Sequence, residues 1–297
     1  MAAFHDAEPF AAGSLWQRLV DVSQQALLSQ HLEPIPTRAE KLADGDVVFN
    51  VRVLDNLQRK SIQRREQPKG FNPFLPYDPN LFVANVSEHH VALLNKFNVV
   101  DHHLLIVTRQ FESQDSRLTI EDFEALWRCL LEFDSVGFYN GGAKAGASQP
   151  HKHLQLLPLG VDRGAIPLES KLKLSQQPVG SVTQSDGIPF WHRLLRLPPL
   201  CDSLAAAKLC ARYYEEIVAS IGWTEVNSNT PYNLLVTREW LLLVPRTAEC
   251  FADISLNSMA FVGSLFVKNQ QQLEILETAG PMTVLSQVAD PEAREPG

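Results

Sequence analysis

The feature that most constrains this chain is a glycine-rich turn that runs straight into a strand loaded with imidazoles. Asn140-Gly141-Gly142-Ala143-Lys144-Ala145-Gly146-Ala147-Ser148 is followed, two residues later, by His151-Lys152-His153-Leu154-Gln155. Side chains alternate along a strand, so His151, His153 and Gln155 share one face at spacings of about 6.6–7 Å. Lys152, Leu154 and Leu156 share the other, where the leucines can enter a core. The front face is wholly polar and therefore lines a wet cleft, binds a metal or handles phosphate. Gly141, Gly142 and Gly146 permit left-handed backbone and close approach to a ligand. Successive N–H groups in such a turn can form an anion nest. Lys144, Ser148 and Gln149 add side-chain donors, and Asn140 is placed to hold a ribose hydroxyl or to fix the loop.

Neutral imidazole is a good nucleophile toward an activated phosphoryl centre at neutral pH. Attack by His153 on an α-phosphorus would expel a polyphosphate and leave a nucleotidyl-histidine. The other ring nitrogen must then keep its proton, best held by a backbone carbonyl. The residues leave other readings open. His-x-His on a strand also suits zinc, with a third ligand from His89, His90, His102 or His103. A structural pair of histidines is the plainer reading. The adjacent pairs His89-His90 and His102-His103 read as structural or surface residues.

Composition limits the function classes. The 297 residues allow two lobes of ordinary size, and 45% hydrophobic with 20% charged residues suits a globular protein. No apolar run approaches the roughly 18 residues of a membrane helix, so no membrane partner is expected. A net charge of −8 argues against nucleic acid, whereas a small polyanion needs only a few cations. One basic cluster exists, Arg59, Lys60, Arg64, Arg65 and Lys69, and most of it reads as solvated loop. The opening MAAFHDAEPF lacks the pattern of a secretory signal. The four cysteines form no C-x-x-C pair, so the expected setting is reducing and cytoplasmic.

Local patterns predict the elements. Ser14 and Gln17 look like a capping box opening a helix with Leu15, Leu19, Val22 and Ala26 on one face. Asp46 to Val53 alternates as a strand. Gln67 to Asn80, rich in proline, reads as a loop. Strands are expected over Leu93 to Phe97, His103 to Thr108, Val136 to Tyr139 and His151 to Leu157. Thr119 and Asp122 cap a helix whose buried stripe is Phe123, Leu126, Trp127, Leu130 and Leu131. Residues 160–189 read as a long connection. Asp202 opens a helix to about Ile221, stopped by Gly222. Asn233 to Thr237 and Trp240 to Val244 form a hairpin. An apolar, strand-like run follows Asn257-Ser258, and Gln270 to Thr278 forms a last helix. The tail after Gln287 reads as disordered. His103 to Arg109 echoes Trp240 to Arg246, which suggests two related α+β halves.

At Asn140 to Gln155 the sequence closely resembles the signature of the ATP adenylyltransferases, or diadenosine tetraphosphate phosphorylases, a branch of the histidine-triad superfamily. Leu94 to Phe97 with His103 to Thr108, Tyr232 to Thr237 with Trp240 to Arg246, Asn257-Ser258 and Leu265 to Lys268 resemble the same family. The resemblance spans roughly Leu15 to Leu276. It implies an α+β fold of histidine-triad-like antiparallel sheets with flanking helices, two related halves forming an intramolecular pseudo-dimer. The expected lobes are a catalytic one over 1–165, a connection over 166–189 and a C-terminal adenylyltransferase lobe over 190–297.

The resemblance also implies a reaction. Inorganic phosphate cleaves diadenosine tetraphosphate (Ap4A) reversibly to ATP and ADP through an adenylyl-histidine. Carried over by motif, His153 is the nucleophile, Gln155 binds the α-phosphate in place of the triad's third histidine, and His151 supports them. Lys60, Asn95, Lys96, Asn140, Gly146, Ala147, Ser148 and Gln149 are the implied substrate contacts of the first half. Asn257, Ser258, Met259, Ser264 and Lys268 are those of the second. Ser264 and Pro150 depart from the family's pattern of methionine and an acidic residue there. No tight metal site is expected; a divalent cation such as magnesium would arrive with the polyphosphate. A monomer is expected. The rival activities are a triad-type hydrolase, a hexose-1-phosphate uridylyltransferase and a non-catalytic nucleotide sensor.

Overall fold

Hydrophobic alternation places the framework strands, and the glycine turn and imidazole strand join it at its middle. The computed structural model describes residues 8–54, 71–160, 166–223 and 230–289. Helix α1 (Leu15–Leu28) leads into the hairpin β1 (Thr37–Asp44) and β2 (Val47–Leu54). Strands β3 (Phe82–Asn85), β4 (His90–Leu94) and β5 (Leu104–Thr108) follow, then helix α2 (Ile120–Leu130), β6 (Ser135–Gly141) and β7 (His153–Pro158). The second part contains β8 (Val182–Thr183), β9 (Arg193–Arg196), α3 (Ser203–Ser220), β10 (Tyr232–Val236) and β11 (Trp240–Pro245). It ends with β12 (Cys250–Phe251), β13 (Ile254–Ser255), β14 (Ser264–Val267), α4 (Gln270–Ala279) and α5 (Pro281–Val288).

Nine strands form one antiparallel sheet in the order β3-β4-β5-β7-β6-β10-β11-β9-β8. A smaller sheet, β1-β2-β14, contains one parallel pair, β2 with β14. The large sheet repeats itself. Strands β4-β5, α2 and β6-β7 give the order β4-β5-β7-β6, and β8-β9, α3 and β10-β11 give β8-β9-β11-β10. The halves meet where β6 pairs with β10, Asn140 opposite Asn233. The fold is thus α+β with two related halves. The echo itself lies one hairpin away from its predicted partner: the counterpart of β11 is β7, because both follow the helix of their half.

Each face of the sheet has its own cover. Leu104, Ile106, Leu154, Leu156, Leu234 and Leu243 pack with residues of α1, α2 and α3. On the opposite face Phe138, Leu157, Leu235 and Leu242 pack against β2, β14 and the C-terminal helices. Leu105 and Val107, also on that face, lie under Phe74 in a separate cluster. Strand β7 runs between these two covers, and its front-face residues His153 and Gln155 keep only slight exposure, 4% and 9%. Burial of side chains such as Phe123 and Trp127, both 0% exposed, stabilises the fold by about 1.5–3 kcal/mol each.

The caps agree with expectation at two helices and differ at one. Thr119 and Asp122 form the predicted capping box on α2, and Asp202 accepts from Ala205 N at 2.7 Å on α3. At α1 the Ser14 hydroxyl instead donates to Ala11 O, and the Glu132 carboxylate accepts from Gly13 N and Leu15 N. Gln17 donates to Asp21 rather than closing a box. Strands β1, β3, β8, β9, β12 and β13 lie outside the predicted strands, and β4 spans His90–Leu94 rather than 93–97 because Asn95 begins a turn. Residues 166–189 are packed rather than a bare connection: Leu168, Leu172 and Ile188 join the core and β8 pairs with β9. Helix α5 ends at Val288, the first residue of the stretch read as a disordered tail, and residues 290–297 of that tail lie outside the described residues. No helix among the described residues is long and apolar enough to cross a membrane.

Candidate active site

His153 opens β7, and its environment fixes both its tautomer and its charge. Nδ1–H donates to the main-chain oxygen of His151 at 2.8 Å. The Nε2 lone pair therefore points away from that bond. Asn98 Oδ1 is the one buried side-chain atom without a partner among the described residues. His153 Nε2 has no hydrogen-bond partner among the described residues, and the residue is 4% exposed. Burial pushes the imidazole pKa down to about 4, and the bond to His151 offsets this only in part. At neutral pH the ring is uncharged with its outer nitrogen bare. Phe74 packs against it at 5.4 Å between ring centroids.

A glutamine wedge holds the strand in place. The β6–β7 ladder ends at Phe138 opposite Gln155, and the same register would set Asn140 opposite His153. The Gln114 side chain inserts there instead. Its Oε1 accepts from His153 N at 2.8 Å, and its Nε2 donates to Asn140 O and His153 O at 2.9 and 3.3 Å. On the back face, Lys152 is buried and donates to Asp122, Glu112 and the Arg117 carbonyl. Asp122 also accepts from His90 Nε2 at 2.9 Å. Burial raises the Asp122 carboxyl pKa, but the bonds from His90 and Lys152 outweigh this and hold it below its ordinary value.

His151 supports His153 and is itself committed. Its Nε2–H donates toward the Thr108 carbonyl at 2.9 Å, and its Nδ1 accepts from Asn72 Nδ2 at 3.0 Å. It is fully buried between Phe74 and Phe111, so the front face of the strand is not uniformly wet. Gln155 lies on the same face as His153, and its Oε1 accepts from His103 Nε2 at 2.9 Å. His103 Nδ1 in turn meets Asn95 Nδ2 at 3.1 Å.

The turn before the strand is docked onto the second half. Asn140 Oδ1 accepts from Asn233 Nδ2, Ser258 N and Ser258 Oγ at 2.9, 3.0 and 2.7 Å. Asn140 therefore fixes the loop through its oxygen. Asn233 Nδ2 also reaches Ala145 O at 2.8 Å, and the buried Arg246 donates to Asn233 Oδ1. Arg246 satisfies its other donors on the carbonyls of Ala248, Glu249, Leu256 and Val288. Burial pushes its pKa down to about 10. Gly146 has φ +85°, and an added Cβ would sit 2.7 Å from Leu256 O, so this position demands glycine. The nest is narrower than the sequence suggests. The N–H groups of Ala145, Gly146 and Ala147 are spent on Gly142 and Ala143 carbonyls, while those of Ser148 and Gln149 have no partner among the described residues.

The remaining predicted residues scatter around this centre. Lys60 and the rest of its basic cluster lie outside the described residues. Asn95 sits behind His103, and Lys96 Nζ lies 3.4 Å from Glu33. Asn257 caps a 3-10 turn over Ser258–Val262 by accepting from Met259 N, with Ser258 and Met259 both buried. Ser264 lies opposite Asn50 in β14, and Lys268 is exposed at its end. The zinc reading finds no support in ring partners: His90, His103 and His151 each bond elsewhere through both nitrogens. The described residues gather no group of three or more His, Cys, Asp or Glu that could hold an ion.

Sequence reasoning missed Gln114, His103, Thr108, Asn72, Asn233 and Arg246. It also missed an asymmetry between the halves. The six residues of β7, His153-Leu-Gln-Leu-Leu-Pro158, correspond to Trp240-Leu-Leu-Leu-Val-Pro245 of β11. Trp240 stands where His153 does and bonds Glu169 at 2.8 Å, and Leu242 stands where Gln155 does. Among the described residues the imidazole strand thus has an apolar counterpart in the other half.

The Ap4A phosphorylase N-terminal domain matches residues 5–174 and the ATP adenylyltransferase C-terminal domain matches residues 186–291. The chain is 28% identical to diadenosine 5',5'''-P1,P4-tetraphosphate phosphorylase 2 of Saccharomyces cerevisiae, over 89% of this chain and 90% of that one. It is 27% identical to Protein APA1 of the same yeast, over 70% and 72%. The crystal structure of yeast Ap4A phosphorylase Apa2 in complex with AMP superposes with a TM-score of 0.78 at 27% identity, covering 94% of this chain and 98% of that one. The glycine turn, the imidazole strand and the matched halves thus agree, and the chain belongs to the Ap4A phosphorylase and ATP adenylyltransferase family.

Proposed function

We propose that this chain is an Ap4A phosphorylase, a nucleotidyltransferase that converts Ap4A and inorganic phosphate to ATP and ADP through an adenylyl group on His153. The observation that carries the reading is the bare, uncharged Nε2 of His153, whose partner nitrogen is held by the His151 carbonyl. That lone pair forms the P–N bond at the α-phosphorus while the P–O bond to the ATP leaving group breaks with its electron pair. The ring gains positive charge in this step, and the Nδ1–H bond to the carbonyl strengthens to offset it. An oxygen of inorganic phosphate then attacks the adenylyl group, ADP departs, and Nε2 recovers its lone pair. Gln155 donates to the α-phosphate, and the open amides of Ser148 and Gln149 serve its equatorial oxygens.

Gln155 also sets the acceptor. A carboxamide cannot take a proton from water, so no group at that position activates hydrolysis. Phosphate carries its own charge and needs no such base. A divalent cation, magnesium in this reading, travels with the polyphosphate rather than on a resident protein site. A monomer in the cytoplasm suits one nucleophile per chain and free thiols at Cys201 and Cys250. The test is to incubate the protein with Ap4A, with and without phosphate, and identify the products. Phosphate-dependent ATP plus ADP is expected. Phosphate-independent AMP plus ATP would assign a hydrolase, and tight binding without turnover a sensor.

A further inference from the structure

We infer that His103 is a positioning residue for the transfer, acting with Asn95 to set which end of the Gln155 carboxamide faces the α-phosphate. The inference rests on the nucleotidyl-transfer reading and goes beyond it, because the amide of Gln155 could face the cleft by either end. An oxygen presented to a phosphate would repel it, whereas an NH2 would bind it.

The hydrogen-bond chain behind Gln155 decides the matter. Phe97 N–H donates to Asn95 Oδ1 at 3.4 Å, which turns the Asn95 NH2 toward His103. That NH2 donates to His103 Nδ1 at 3.1 Å. A neutral imidazole that accepts at Nδ1 carries its hydrogen on Nε2. Nε2–H therefore donates to Gln155 Oε1 at 2.9 Å, and the NH2 end of Gln155 is left for the cleft. Burial pushes the His103 pKa down to about 4, so the ring stays neutral and the tautomer is set by Asn95 alone. Asn95 N also donates to His103 O at 3.0 Å, which fixes the two backbones against each other. Gln155 Nε2 has no hydrogen-bond partner among the described residues. The other tautomer reverses the chain: Nε2 would accept from the Gln155 NH2 and turn its oxygen outward. Asn95, an implied substrate contact, acts here through the ring and not on the nucleotide.

The experiment compares wild type, His103→Phe, Gln155→Ala and the double variant on Ap4A and on its two α-phosphorothioate diastereomers. A donor aimed at one diastereotopic oxygen makes the enzyme prefer one isomer. His103→Phe is expected to lower kcat by about 100-fold, with a much smaller change in KM. It is also expected to collapse the isomer preference as Gln155→Ala does, and to add nothing in the double variant. Losses that multiply in the double variant, or an isomer preference that survives His103→Phe, would overturn the inference. Should His103→Phe melt prematurely, Asn95→Leu leaves the ring in place and is expected to show the same loss of preference; a retained preference there would also refute it. Phosphate-dependent turnover by the wild type is read separately, so the relay can fail while the activity stands.

Discussion

Lowering the pH should unfold this protein well before its carboxylates titrate. His103, His153 and His192 each have a pKa pushed from 6.5 down to about 4, in every case chiefly by burial. In the unfolded chain each would take a proton near 6.5. The folded state refuses that proton until about pH 4, so the stabilisation is complete above 6.5 and drains away as the pH falls toward 4. At pH 5 the linkage amounts to about 2 kcal/mol for each ring and about 6 kcal/mol for the three. His151, also lowered by burial, adds in the same direction. A domain stability of about 5–15 kcal/mol cannot absorb such a loss easily. The carboxyls of Asp78 and Asp122 are held below their ordinary value, so their contribution falls away only at lower pH. Urea denaturation followed by tryptophan fluorescence, from about pH 7.5 down to about pH 5, measures the loss, with a limiting slope of about 4 kcal/mol per pH unit. His192→Phe, on the half without His153, should remove about a third of that dependence whatever its baseline stability. A stability that stays level within about 1 kcal/mol over the window would refute the reasoning.

Three further outcomes follow from the site. Because His153 is uncharged down to about pH 4, kcat/KM should show no acid limb near 6.5, which a pH–rate profile checks. Arg246→Met strips the donors from five acceptors, three of them in buried bonds, and should cost about 3 kcal/mol or more by denaturant melt, with a raised KM for nucleotide because the Asn233 anchor of the turn is lost. Gly146→Ala forces a left-handed alanine whose Cβ meets Leu256 O, so it should cost about 1–3 kcal/mol and weaken nucleotide binding by calorimetry.

What the sequence revealed, and what it hid, divides along a physical line. The imidazole strand, its alternating faces and the glycine turn are local facts, and so are the caps at Thr119 and Asp202. The two halves are legible as a weak echo, but the echo pairs β5 with β11, and only the strand order shows that β7 is the counterpart. His103 reads as an ordinary member of a His-His pair until β5 is known to lie beside β7, with Leu105 opposite Gln155. Gln114 acts by interrupting a ladder 39 residues away, which no periodicity signals. Arg246 and Asn233 work through tertiary bonds to carbonyls and amides of loops that carry no motif. The anion nest was misread in extent because a turn spends its own N–H groups before offering them to a ligand. The missed residues share one property: each holds, directly or through Asn233, a group that the motif already names.

The central claim is a covalent bond to one imidazole nitrogen. The protein should be mixed with adenine-labelled Ap4A in the absence of phosphate, quenched, and mapped by peptide mass spectrometry. One adenylyl group on the peptide carrying His153 is expected, discharged to ADP when phosphate is added and absent from His153→Ala. Label that persists in His153→Ala, or that appears on another residue, would contradict the account.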